Sequence, residues 1–60
     1  MGEGMRLELT GVVAADTLKE EDATLVVHSD GSGTLYFAHG RYEKCDEEVT
    51  SDLIATTLDN

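Results

Sequence analysis

Three side chains in this sequence could ligate a soft metal or serve as nucleophile and base: His28, His39 and Cys45. A metal site needs its ligands brought together, and no CxxC, HxH or HExxH spacing is present. If the segments around 23–29 and 34–39 pair as a hairpin, His28 and His39 fall on opposite faces of it, because strand residues alternate sides. Cys45 then lies about 20 Å from His39 along an extended chain. No metal and no other cofactor is therefore expected. Catalysis by Cys45 would need a depressed thiol pKa. Asp46, Glu47 and Glu48 follow it directly and push the other way, although a helix N-terminus would favour the thiolate. His39 is its one plausible base, so no catalytic residues are expected and the chain does not read as an enzyme.

The remaining polar clusters point to binding rather than chemistry. Glu20-Glu21-Asp22 and Asp46-Glu47-Glu48 could hold calcium or imitate a phosphate row, but they read first as solvated acidic faces. Asp30-Gly31-Ser32-Gly33 lacks the lysine of a phosphate-binding loop and leads into a strand, so it reads as a hairpin turn. In His39-Gly40-Arg41-Tyr42 a histidine, a cation and an aromatic ring sit together, and the glycine permits close approach. The candidate interaction residues are therefore His39, Arg41, Tyr42, Glu47 and Glu48.

The elements that must position these residues follow from periodicity. Arg6-Leu7-Glu8-Leu9-Thr10 alternates as a half-buried strand, and Gly11 marks a bulge or bend before Val12-Val13-Ala14-Ala15. Asp16–Asp22 reads as a loop with at most one helical turn, suggested by the capping-box spacing of Thr17 and Glu20. Ala23–Ser29 and Thr34–His39 are the next strands, the latter extending weakly through Gly40 to Tyr42. A three-residue turn at Gly31-Ser32-Gly33, with Gly33 left-handed, would set Val27 opposite Phe37, His28 opposite Tyr36 and Leu25 opposite His39. Leu25, Val27, Leu35 and Phe37 then share one face. Val49, Leu53, Ile54 and Leu58 form a helical stripe in 46–58, although Thr50, Thr56 and Thr57 are poor helix formers. The expected fold is α+β: a three-stranded antiparallel sheet in β-β-β-α order, with one C-terminal helix packed on it. Residues 1–4 are expected to be a disordered N-terminal end and residues 5–60 a single small domain.

Composition narrows the function. The 60 residues carry 13 acidic and 4 basic side chains, a formal net charge of −9. That charge disfavours direct contact with nucleic acid or an anionic membrane surface. With no proline, no tryptophan and one cysteine, the core must be built from Leu, Val, Ile and Ala without a disulfide. So small a core calls for support from a partner, from salt, or from both. The acidic, lysine-poor composition fits a high-salt cytoplasm, where screening removes self-repulsion, and equally an acidic mesophilic or phage protein. The start shows neither a signal peptide nor any membrane span, so a cytoplasmic setting is expected. The reading is a small non-enzymatic binding or regulatory protein that acts through protein–protein contacts as a homodimer. The alternative is an acidic nucleic-acid mimic that inhibits a nucleic-acid-binding protein.

Overall fold

Alternating apolar residues in the first half of the chain and an acid-capped apolar stripe in the second produce a sheet followed by a helix. The computed structural model describes residues 4–59. The elements are β1 (Arg6–Val13), β2 (Glu20–Val27), β3 (Gly33–Tyr36), a 3-10 turn (Ala38–Gly40), β4 (Tyr42–Cys45) and α1 (Glu47–Asp59). The four strands form one antiparallel sheet in the order β1-β2-β3-β4. The α+β class, the antiparallel sheet and the C-terminal helix are as expected. Of the N-terminal end expected over residues 1–4, residues 1–3 lie outside the described residues, and Gly4 lies against the backbone of Val27.

The sheet has four strands rather than three. The segment that reads as a weak extension of the third strand is a reversal. His39 (φ 62°) and Gly40 (φ 76°) are both left-handed, and the Phe37 N–H donates to the Arg41 carbonyl at 2.8 Å. Two successive positive φ values turn the chain back, so Tyr42–Cys45 pairs with Gly33–Tyr36. The strand before the turn therefore ends at Tyr36, not His39.

The β2–β3 turn is of the expected three-residue kind but sits two residues earlier. Gly31 (φ 94°), not Gly33, takes the left-handed position. The Gly31 N–H donates to the His28 carbonyl at 3.0 Å, and the His28 N–H to the Ser32 carbonyl at 2.8 Å. Asp30 Oδ1 accepts from both the Ser32 N–H and the Ser32 hydroxyl, which fixes the tip and holds the Asp30 carboxyl below its usual pKa. Leu25 consequently pairs with Leu35 and Val27 with Gly33, replacing the expected partners His39 and Phe37; Tyr36 faces Thr24 rather than His28. The shift is an even number of residues, so the expected face is preserved. Gly11 (φ 69°) forms the expected bulge between the Leu9 and Val12 pairs. Thr17 makes no capping box. Its hydroxyl donates to Glu21 Oε2 at 3.1 Å and accepts from the Lys19 N–H at 3.3 Å.

Asp46 caps α1, accepting from the Val49 N–H through Oδ1 at 2.9 Å, and Glu47 and Glu48 complement the positive end of the helix dipole. The stripe facing the sheet begins one residue later than the apolar pattern indicates. Thr50, 1% exposed, stands over Gly33, and Leu53 and Ile54 continue inward. Val49 and Leu58, expected in the core, are 44% and 75% exposed. The absent side chain at Gly33 leaves a hollow that a threonine fills. A Cβ on Gly33 would lie 3.0 Å from both Leu25 Cδ1 and Thr50 Oγ1. The Thr57 hydroxyl donates to the Leu53 carbonyl one turn back at 2.8 Å.

The core is Leu9, Ala14, Ala23, Leu25, Leu35, Phe37 and Cys45, with Leu7, Val12, Val27, Leu53 and Ile54 packed around it. Every core residue on β2, β3 and β4 lies on one face of the sheet. On that face α1 sets Thr50 over Gly33 and lines a cleft with residues 9–12 of β1 through Leu53, Thr56 and Thr57. Phe37 carries the Arg41 guanidinium 5.2 Å over its ring.

Candidate functional site

The register arranges the other face of the sheet as two complete cross-strand rows. Arg6, Val26, Thr34 and Lys44 are mutual neighbours across β1-β2-β3-β4, and Glu8, Thr24, Tyr36 and Tyr42 form the adjacent row. No helix packs on this side. Tyr36 and Tyr42 are 47% and 58% exposed, with ring centroids 6.1 Å apart and planes tilted by 42°. Arg6, Thr24, Val26, His28 and Tyr36 line a shallow open depression of about 540 Å³. Thr34 is buried within the face by its neighbours, and its Oγ1 lies 2.9 Å from His28 Nε2.

The charges on this face are ordered. Arg6 and Lys44 occupy the two ends of one row, and Glu8 occupies the β1 end of the next. In a chain of net charge −9, this face holds two of the four Lys and Arg residues. Asp22, two residues before Thr24 on β2, lies on this side as well, lining a cleft with Glu8, Thr24 and Tyr36, while the other acidic residues of the two clusters lie toward the sheet ends. Asp16, Glu20 and Glu21 gather at the β1–β2 loop end, and Asp30, Asp46, Glu47 and Glu48 at the opposite end beside the β2–β3 turn.

The structure separates the five residues singled out from sequence. Tyr42 belongs to the open face. Arg41 is turned to the covered face, where its Nη1 and Nη2 each lie 3.0 Å from a Glu21 carboxylate oxygen and its Nε lies 3.4 Å from Asp16 Oδ2. This fork holds the Glu21 carboxyl below the usual carboxylate range and raises the Arg41 pKa. The neighbouring Glu43 carboxylate accepts from the Ala15 N–H at 2.8 Å, which ties the β1–β2 loop to the same end. His39 is exposed in the reversal. Glu47 and Glu48 lie at the far end of β4, with the Glu47 side chain over Gly31.

Cys45 is buried on the covered face opposite Gly33. Burial first, then Glu43 and Asp46, raises its thiol pKa and so favours the protonated thiol over the thiolate. His39 and Cys45 sit at opposite ends of β4, and no group of three His, Cys, Asp or Glu side chains among the described residues is placed to hold a metal. Among the described residues no helix is long and apolar enough to cross a membrane.

Sequence reasoning missed Arg6, Val26, Thr34, Tyr36 and Lys44 as members of one surface. The signal is the alternation in Tyr42-Glu43-Lys44-Cys45, which becomes legible once the chain is known to reverse at His39-Gly40. The run Leu25-Val26-Val27 hides it further, since an unbroken apolar run shows no preferred face. Comparison of the chain with known protein families, curated proteins and solved structures finds no match.

Proposed function

We propose that this chain is a small non-enzymatic binding protein that acts through protein–protein contact, with the helix-free face of its sheet as the contact surface, and that it works as a homodimer. The observation that carries this reading is the adjacent pair of half-exposed rings, Tyr36 and Tyr42, on a sheet face that α1 leaves uncovered. Tyrosines are enriched at interface centres because each buries a large apolar area while keeping a polar tip. Covering this face would also add burial to a small core that no disulfide supports.

The high charge links this contact to salt. Two copies at −9 each repel one another, and molar salt shortens the Debye length to about 3 Å. Adaptation to a salt-rich cytoplasm follows from the same charge, and the buried, unactivated Cys45 suits a reducing compartment. An acidic nucleic-acid mimic needs its carboxylates in a single phosphate-like row. Among the described residues most divide between the two ends of the sheet, with Glu8 on β1, Glu43 on β4 and Asp52 and Asp59 on α1 apart from both clusters.

Sedimentation velocity over a wide concentration range, at low and at molar salt, tests the reading. A dimer that strengthens with salt is expected. A monomer under every condition overturns it.

A further inference from the structure

The open face could meet a second copy in two symmetric ways, and its charges select one. Two identical sheet faces stack about 10 Å apart around a two-fold axis lying in the interface. If the axis runs along the strands, each row meets itself in reverse order. Arg6 then opposes Lys44 of the second copy, twice per dimer, and both cations are desolvated against like charge. If the axis runs across the strands, between the two rows, each row meets the other with β1 over β1 and β4 over β4. Arg6 then opposes Glu8 of the second copy, and Lys44 opposes the ring of Tyr42 of the second copy. The centre is filled by Val26 over Thr24 and Thr34 over Tyr36.

We infer that this crossed stacking is the homodimer interface: two Arg6–Glu8 ion pairs on one flank, two Lys44–Tyr42 cation–π contacts on the other, and the Val26 and Tyr36 side chains between them. The inference rests on the self-association reading above and adds its partner geometry. The pairing is chemically complete within one sequence. Each cation of the first row finds an anion or a π face in the second, and no charge of the two rows meets its own sign. Arg and Lys carry long flexible stems, which accommodate the rotation of about 30° between aligned stacked sheets. The alternative of edge-to-edge pairing is disfavoured at both sheet edges. β1 is bulged at Gly11, and β4 is four residues long and carries Lys44, the features that blunt a strand edge. Two rows of four residues make a small interface, at the low end of the range for specific contacts, so the dimer is weak and concentration-dependent.

Charge reversal tests the geometry at the lowest salt concentration at which the wild-type chain associates, where the flanking ion pairs are least screened. Arg6→Glu and Glu8→Arg both change exposed side chains, and circular dichroism checks that each variant is folded. Each alone should weaken self-association by about tenfold or more, by setting like charges across both ion-pair positions. Glu8→Arg is the sharper case, because it lowers the net negative charge and general repulsion alone would strengthen association. An equimolar mixture of the two variants should recover a heterodimer, as should the double variant a homodimer, since opposite charges again face each other. If both variants associate as the wild type does, or the mixture stays monomeric while the wild type dimerises, the crossed geometry is overturned and self-association itself stands. If the wild type is monomeric throughout, the underlying reading fails as well.

Discussion

The two faces of the sheet are built from alternate residues of the same strands, yet they follow different rules. On one face Ala23, Leu25, Leu35 and Cys45 are buried in the core with α1 packed against it, and Arg41, Glu21 and Asp16 are linked at the β1–β2 loop end. On the other, Thr24, Val26, Tyr36, Tyr42 and Lys44 carry as much side-chain bulk but have no covering layer. A single 13-residue helix lies on the first face, and no element among the described residues lies on the second. The difference teaches that the open face holds contact potential that the fold itself does not use.

Neighbouring residues give the strongest way to break this comparison. Leu25 and Val26 are adjacent on β2 and point to opposite faces, Leu25 with no exposure and Val26 half-buried. Leu25→Ala should cost about 2–5 kcal/mol, much of the stability of so small a domain. Val26→Ala should cost about 1 kcal/mol or less in the monomer and act instead on association. Urea denaturation of both variants at a concentration below association reads the contrast directly. Equal losses would mean that the two faces are not distinct.

The contact between helix and sheet comes next. Gly33→Ala would place a methyl group 3.0 Å from Leu25 Cδ1 and Thr50 Oγ1, and overpacking of this kind costs about 1–3 kcal/mol. Thr50→Val should do the opposite. The Thr50 hydroxyl is buried without a hydrogen-bond partner, so an isosteric methyl should be neutral or stabilising by about 1 kcal/mol. A destabilised Thr50→Val would show that the hydroxyl holds the helix in place. Thermal melts of both variants check the pair.

The smallest expected effect is the acid response of the end closed by Arg41. The Glu21 pKa is lowered chiefly by its hydrogen bonds from Arg41. The unfolded chain, with an ordinary carboxyl, therefore takes up the proton first as pH falls. The stability from this pair is complete above the ordinary carboxylate pKa of about 4.3 and is lost as pH drops through the depressed folded value. Arg41→Met should flatten that part of the stability–pH curve. An unchanged acid limb would assign the acid response to other carboxylates, such as Asp30.

Much of the covered face is legible in the sequence, because its residues recur at the strand period and Gly11 announces its bulge. The left-handed glycine and the three-residue turn are legible as a type. Their position is not, since both Gly31 and Gly33 satisfy the turn chemistry; in the fold the Asp30–Ser32 hydrogen bonds hold the tip at Gly31, and Thr50 stands over Gly33. The fourth strand is hidden for a different reason. Its reversal depends on His39 adopting a positive φ, which is uncommon for any non-glycine residue even though histidine is among those that adopt it more often. The open face is hidden with it, because Tyr42 and Lys44 join Tyr36 and Val26 only through β4. Arg41, which reads as a surface cation, is instead drawn inward by Glu21, a pairing across 20 positions that no local pattern reveals.

The central claim is that the open face, and not the helix side, meets a second copy. Amide and side-chain NMR shifts followed on dilution at constant salt test it most directly. The account predicts concentration-dependent shifts at Arg6, Glu8, Val26, Tyr36, Tyr42 and Lys44, with Leu35, Cys45, Thr50 and Ile54 unmoved. Shifts centred on α1, or none at any concentration, would contradict it.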